Sequence, residues 1–414
     1  IMTKRVFITG IGMITPLGLD TNTTWQNLVA GKSGASTIEH FDPSEFQTKI
    51  ACEVKDFDAT DFIDRKKARQ LDRFSQFAMS AAQEALAQSN LNLENTDLKK
   101  VGVIIASGIG GISTLDAQAT VLNERGPKRI SPFLIPMMLP DMASGQISMA
   151  LGTQGPNFCV VSSCSSGAEA LGNAWKLINN DEAEIVIAGG AETPICPLAV
   201  AGFNACQALS TNNENPTLAS RPFDIDRDGF VMGEGSSVLI LESEESIINR
   251  GAQPLAELVG YGATSDAFHV TQPHPEGAGA IEAMQRALSQ AGLEPKDIDY
   301  INAHGTSTPL NDKFETMAIK KVYKNSAFGI PISSTKSMTG HLLGAGAALE
   351  AAFSVLSIQN GMIPPTINLT NQDPDCDLDF TANKSIEKNI SNVMSNSLGF
   401  GGHNSSLIFK KFVE

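Results

Sequence analysis

AQEALAQSNL at residues 82–91 returns, lightly altered, as MQRALSQAGL at residues 284–293. Both stretches carry apolar residues at helical spacing, and both close on Leu before a turn. Each leads through an Asp step (Asp97-Leu98, Asp297-Ile298) into a short apolar strand, residues 101–106 in one copy and 298–303 in the other. Each strand then meets a polar residue and a glycine: Ser107-Gly108, and His304-Gly305. Further on, Ser162-Ser163-Cys164 precedes a Gly/Ala-rich helix at 168–178, and Ser333-Ser334-Thr335-Lys336 leads into one at 342–358. Near the end of each copy, residues 235–241 match residues 404–409. The opening strands match as well, Phe7-Ile8-Thr9-Gly10-Ile11-Gly12 beside Glu257-Leu258-Val259-Gly260-Tyr261-Gly262. Matches that keep their order along the chain mark an internal duplication.

The chain thus reads as two copies of one unit: 1–252, which carries Cys164, and 253–414, which carries His304 and His341. Alternating strands and helices predict an α/β fold with mainly parallel pairing. The Ala/Gly-rich helix of each copy is too apolar to face water, so the halves are expected to pack as one body. Residues 31–75 and 108–160 have no counterpart of equal length and are read as insertions in the first half.

Composition narrows the function classes. The chain has 414 residues, 42% hydrophobic and 18% charged, enough for a large core and unlike a disordered chain. A formal net charge of −15 argues against a nucleic-acid binder. No apolar run is long enough to span a membrane, and no secretory leader is expected before the first strand. The six cysteines form no CxxC pair, so neither a zinc site nor a disulfide framework is expected, and a reducing, cytoplasmic setting fits. Cys159, Cys196 and Cys206 are read as core residues.

Four segments carry chemistry. In Val160-Val161-Ser162-Ser163-Cys164-Ser165-Ser166-Gly167 an apolar strand end meets small residues and then a helix. A thiol at such a junction is expected to have its thiolate favoured by the free N–H groups and dipole of the helix. His304, at the C-terminal end of a strand, is expected to point into a crevice beside the sheet edge. The 333–341 turn is the repeat's counterpart of the Cys164 turn, which brings His341 toward the thiol. Glu350 lies within an apolar run and needs a cation, for which Lys336 is the natural partner. The Gly-rich turn 399–404 allows close backbone approach and offers free N–H donors. Gly108-Ile109-Gly110-Gly111 is a poor dinucleotide fingerprint, because no full G-x-G-x-x-G or acidic ribose-binding residue follows.

Six motifs now stand together: the Cys-Ser-Ser-Gly elbow, RPFDIDRDGFVMGEG (221–235), NAHGTSTPLND (302–312), SSTKSMTGHLLGAGA (333–347), PPTINL (364–369) and GFGGHN (399–404). Together they resemble the beta-ketoacyl-[acyl-carrier-protein] synthase family over essentially the whole chain, from Val6 to Phe412. The resemblance implies a thiolase-like fold, two duplicated halves in a five-layered α-β-α-β-α arrangement, and a homodimer. It implies that Cys164 takes the acyl chain, that His304 and His341 act on the malonyl thioester, and that Lys336 is structural with Glu350 as its partner. Cys164 and Phe400 match the oxyanion-hole amides, and Phe400 also matches a gate. Thr306 and Thr308 match pantetheine contacts. Ile109 and Phe133 match the acyl pocket, Phe133 reaching in across the dimer. Ser163 stands where the family often has Ala, and Leu398 where many members have Phe.

The activity so implied is decarboxylative condensation of malonyl-carrier protein with an enzyme-bound acyl group. It calls for no redox cofactor and no metal, with substrates carried on the phosphopantetheine of acyl carrier protein. That partner is acidic, so an acidic synthase needs a local basic dock. Arg65, Lys66, Lys67, Arg69 and Arg73 crowd one insertion, and Lys128 and Arg129 lie in another. A thiolase would carry a second cysteine near the C-terminal Gly-rich turn. A cysteine hydrolase would release free acid. A non-catalytic chain-length subunit would lack Cys164. A polyketide-type ketosynthase is the nearest rival.

Overall fold

The computed structural model describes residues 4–413. Ten strands form one hydrogen-bonded series. The first half supplies β1 (Val6–Ile14), β2 (Val101–Ala106), β3 (Asn157–Phe158), β4 (Ile185–Glu192) and β5 (Gly235–Ser243). The second supplies β6 (Ala256–Ser265), β7 (Tyr300–Asn302), β8 (Ile332–Ser333), β9 (Asn392–Gly399) and β10 (His403–Lys410). Their spatial order is β3-β2-β4-β5-β1-β6-β10-β9-β7-β8, a palindrome in which each half repeats the other's order. Among the described residues only Phe7↔Glu257 and Ile8↔Ala256 pair across the centre, so the series is two five-stranded sheets joined by a short seam.

Five helices position the site: α1 (Arg73–Ser89), α2 (Ser166–Asn179), α3 (Ala278–Ala291), α4 (Pro309–Tyr323) and α5 (Gly346–Asn360). α1 covers β1 and β5 on one outer face, and α3 covers β6 and β10 on the other. α2 and α5 touch each other and strands of both halves, which makes them the middle layer. The result is the five-layered, thiolase-like arrangement.

The glycines of the opening strands explain why the duplication is so legible. A Cβ on Gly10 or Gly12 would lie 2.1 Å from the Ala85 carbonyl oxygen or 1.9 Å from that of Ala81. In the second half, Gly260 and Gly262 meet the carbonyls of Ala287 and Ala283 at 2.4 and 2.0 Å. Each outer helix therefore rests directly on a bare strand, and only Gly-x-Gly against Ala-x-x-x-Ala fits. One apolar core runs from Val6 and Ile8 through Leu171 and Phe353 to Phe409, spanning both halves. This covers the apolar faces of α2 and α5, as their composition requires.

The pairing is not mainly parallel. β2 runs parallel to β3 and β4, and β7 to β8 and β9, but the remaining ladders are antiparallel. The reason is connection length. β9 turns into β10 through a tight turn at Phe400–Gly402, which permits only antiparallel pairing. β5 follows a long connection that carries the short helix Pro197–Ala205 and brings the chain back antiparallel to β4. Among the described residues no helix is long and apolar enough to cross a membrane.

Candidate active site

The Cys164 elbow is built from strain and small side chains. Ser163 has a φ of 53°, a left-handed conformation that costs a non-glycine residue about 1–2 kcal/mol. Ser162 N–H donates to Ser166 Oγ at 2.8 Å, and Ser166 Oγ–H donates to the Ser163 carbonyl at 2.6 Å. Ser165 Oγ lies 3.0 Å from the Ser397 carbonyl and 3.1 Å from that of His403, tying the elbow to the β9–β10 turn. α2 begins at Ser166, so Cys164 stands just ahead of the helix. A Cβ on Gly167 would sit 2.5 Å from Ala348 N, so this glycine lets the two central helices meet beside the thiol. A Cβ on Gly399 would lie 3.1 Å from Cys164 N, which is how the Gly-rich turn reaches the elbow.

The two imidazoles arrive from the second half. His304 follows β7, and its N–H and that of Gly305 each donate 2.8 Å bonds to the two oxygens of Glu315 on α4. His341 is strapped by its backbone: its N–H reaches Val231 O at 2.8 Å and its carbonyl accepts Gly233 N–H at 2.9 Å. His341 Nε2 lies 3.1 Å from Cys164 Sγ, and its Nδ1 accepts Leu343 N–H at 3.3 Å. The two imidazole rings stand edge to face with centroids 5.4 Å apart. Sulfur and one nitrogen from each ring all fall within 4.8 Å of one another.

Burial sets the protonation states. It pushes both imidazoles well below their ordinary value, and the nearby Lys336 charge adds to the effect. Both rings are therefore neutral at pH 7. With Nδ1 of His341 accepting, its Nε2 carries the proton and points it at the sulfur. Burial also raises the Cys164 thiol to about 11, while Lys336 and a hydrogen bond from the Phe400 amide pull it down. The expectation of a lowered thiol is thus corrected. Desolvation outweighs the Lys336 charge and the Phe400 amide, and the helix begins beyond the sulfur. Lys336 donates to Glu350 and both side chains are 3% exposed. Burial pushes the Glu350 carboxyl up, and the ammonium opposes that rise.

A cavity of about 540 Å³ opens over these groups. Ile109, Thr306, Thr308 and Phe400 line it with Cys164, His304 and His341, as does Leu398. The Thr306 and Thr308 hydroxyls lie 2.9 Å apart. Phe133 is 37% exposed and is not among the lining residues of its own chain. Arg65, Lys66, Arg69, Lys128 and Arg129 are exposed and Lys67 half-buried. Arg73 does not belong to that surface group: it binds Glu234 at 3.1 Å and the Val54 carbonyl at 3.1 Å. Cys206 is not core either. It is exposed and lines the cavity, because α-helix Pro197–Ala205 ends just before it. Glu315 and Glu192 were missed by sequence reasoning. Glu315 sits in a polar helix and looks like a surface residue. Glu192 ends an apolar strand, and a carboxylate there signals waiting donors.

A thiol on a strained elbow, two neutral imidazoles and the Phe400 amide facing the sulfur define a cysteine-dependent acyl-transfer enzyme on a thiolase-like fold. The model of the beta-ketoacyl synthase N-terminal domain matches residues 3–246, and that of the C-terminal domain matches residues 255–370. The chain belongs to the beta-ketoacyl synthase family. It is 50% identical over 409 residues to the 3-oxoacyl-[acyl-carrier-protein] synthase 2 of Synechocystis sp., covering 99% of this chain and 98% of that one. Its identity to the synthase 2 of Staphylococcus aureus (strain N315) is 49%, covering 99% of both. Among solved structures, the ishigamide ketosynthase/chain length factor superposes with a TM-score of 0.94 at 34% identity and full coverage of both chains. A beta-ketoacyl synthase from Burkholderia phymatum does so at 0.91 and 36%, covering 99% of this chain and 100% of that one. A type II PKS acyl-carrier protein in complex with its ketosynthase gives 0.92 at 34%, again with full coverage of both chains.

Proposed function

We propose that this cavity condenses malonyl-carrier protein with an acyl group held on Cys164, releasing 3-oxoacyl-carrier protein, CO2 and free carrier protein in fatty acid elongation. One observation carries the reading: a thiol and two neutral imidazoles from opposite halves converge within 4.8 Å on a single cavity. The Cys164 sulfur attacks the acyl thioester, and the Cys164 and Phe400 amides hold the oxyanion, each such donor worth about 10²–10³ in rate. The carbon–sulfur bond to the carrier protein's pantetheine then breaks, and that thiolate leaves with the proton given up by Cys164. The malonyl C–C bond then breaks, CO2 leaves with its carbon, and the electron pair becomes an enolate on the thioester oxygen. Neutral N–H donors at His304 and His341 stabilise that enolate without protonating it. The enolate attacks the acyl-Cys carbonyl, and thiolate departs. The electrons balance within the substrates, so the step calls on no metal or redox cofactor.

Thr306 and Thr308 steer the pantetheine arm, and Ile109 lines the acyl pocket. Acyl carrier protein docks on Arg65, Lys66, Lys67 and Arg69 together with Lys128 and Arg129; their exposure in a chain of net charge −15 supports this. The protein works as a homodimer. Supporting this, Leu115, Leu122, Ile135, Met149 and Val161 are exposed apolar side chains in one stretch of the first half, and β3 is a sheet edge. In that dimer Phe133 completes the partner's acyl pocket. Six free thiols suit the cytoplasm. A fatty acid pathway is favoured over a polyketide one by identities of 49–50% to synthase 2 enzymes against 34% to polyketide-type ketosynthases. Acyl-carrier-protein and malonyl-carrier-protein incubated together should yield a product longer by two carbons. Free acid alone would favour a hydrolase.

A further inference from the structure

Glu192 ends β4 with its side chain fully buried, and among the described residues no lysine or arginine forms a salt bridge with it. Its carboxylate accepts four hydrogen bonds instead: Ser107 Oγ at 2.8 Å, Gly108 N at 2.6 Å, Ile109 N at 3.2 Å and Gly344 N at 2.9 Å. The two loops it joins are in backbone contact. A Cβ on Gly344 would lie 2.2 Å from Gly108 N and 2.6 Å from Glu192 Oε2. One on Gly108 would lie 2.8 Å from that same oxygen. The residues next in line, Ile109 and Leu343, both face the cavity. Leu343 also has a φ of 47° and donates its N–H to His341.

The duplication supplies a counterpart. Ser107-Gly108 corresponds to His304-Gly305, whose two amides are held by Glu315, one on each oxygen, where Glu192 takes the Ser107 hydroxyl and the Gly108 and Ile109 amides. In the second half the clamp holds a reacting imidazole. In the first half it holds apolar wall. Glu192 is not there to activate the thiol, because its charge opposes the Cys164 thiolate.

We propose that Glu192 is a positioning residue for acyl-chain selection: its carboxylate locks the Ile109 loop to the Leu343 turn and so fixes the depth of the acyl pocket. This rests on the condensing activity proposed above. With four donors satisfied, Ile109 cannot swing away without stranding buried N–H groups. Glutamine at this position keeps the volume but turns an NH2 group toward amides that also donate. The loop then loosens and longer chains enter.

The test compares Glu192→Gln with wild type on a ladder of short and long acyl-carrier proteins with malonyl-carrier protein. The ratio of long-chain to short-chain kcat/KM should rise roughly tenfold or more, the scale on which apolar pockets discriminate chain length. The second readout is pH-resolved alkylation of Cys164. Both the lost charge and any water admitted by a loosened loop should move the profile to lower pH, so the chain-length ratio is the readout that decides. An unchanged chain-length ratio in the folded variant overturns the proposal. Should Glu192→Gln fail to fold, Ser107→Ala removes a single donor; it should shift the ratio in the same direction, and no shift there also overturns it. A wild-type enzyme that condenses nothing refutes the proposed function instead, before any variant is compared.

Discussion

His341 holds a proton-bearing Nε2 3.1 Å from the Cys164 sulfur, with its tautomer fixed by the Leu343 amide on the other side of the ring. The ring is buried and neutral, so it donates to negative charge and does not carry positive charge itself. That contact joins the two halves of the duplicated chain at the thiol proposed to take the acyl group.

The thiol and the imidazoles are expected to separate by mutation. Cys164→Ala should abolish acyl transfer yet keep malonyl decarboxylation, measured as CO2 release. His304→Ala and His341→Ala should each lower decarboxylation by about 10²–10³, the worth of one positioned donor. Loss of both activities in a folded Cys164→Ala protein would contradict this division.

The raised thiol sets a pH dependence. A thiol whose value lies near 11 holds little thiolate at neutral pH. Iodoacetamide modification of Cys164 should therefore keep accelerating above pH 9, where an ordinary cysteine has levelled off at about its unperturbed value near 8.5. A plateau near pH 8 would show that the thiol is not held up by burial.

Lys336 and Glu350 form a buried pair, each side chain 3% exposed. Glu350→Gln leaves an uncompensated ammonium in the middle layer and should cost about 3–5 kcal/mol in denaturant unfolding. Replacing both partners with apolar residues should recover much of that loss, because the uncompensated charge goes with them.

A second charged cluster makes stability depend on acid. Glu53 would be raised by burial, but bonds from His40 and Lys55 overcome this and hold it at about 2. His40 also touches Glu234 at 3.2 Å, in the segment that straps His341. Folded Glu53 lies below its unfolded value, so its contribution is present above about pH 4.5 and is lost as pH falls toward 2. Burial lowers His40, but its bond to Glu53 raises it more, so its contribution is full below about pH 6.5 and fades as pH rises through the folded value. Glu53→Gln should lower Tm at pH 6, and the gap from wild type should close on acidification.

The dock is tested by Lys66→Glu with Arg69→Glu. KM for carrier-protein substrates should rise several-fold at low salt, while a small pantetheine thioester is used as before. Equal KM values would remove these residues from the docking surface.

Much of the fold was legible because the duplication repeats steric necessities. Gly10 and Gly12 must be glycine where α1 rests on β1, and Gly260 and Gly262 repeat the need beneath α3. The strand directions were less legible: β9 and β10 pair antiparallel through a short turn that no periodicity announces. Cys164, His304 and His341 stood out as polar residues at strand and helix ends. Glu315 did not, because its partners are backbone amides eleven and ten residues away rather than side chains. Arg73 looked like part of a basic surface until its neighbour Glu234, distant in sequence, claimed it. The thiol's state was misjudged because sequence displays the helix that follows but not the desolvation around the sulfur.

The most direct test follows the acyl group itself. The enzyme is incubated with acyl-carrier protein and analysed by intact-protein and peptide mass spectrometry, then given malonyl-carrier protein labelled with carbon-13. The acyl mass should reside on Cys164 alone and disappear as a labelled 3-oxoacyl product forms, two carbons longer, with one CO2 per turnover. An acyl group on another residue, or free acid released in place of the longer product, would contradict the account.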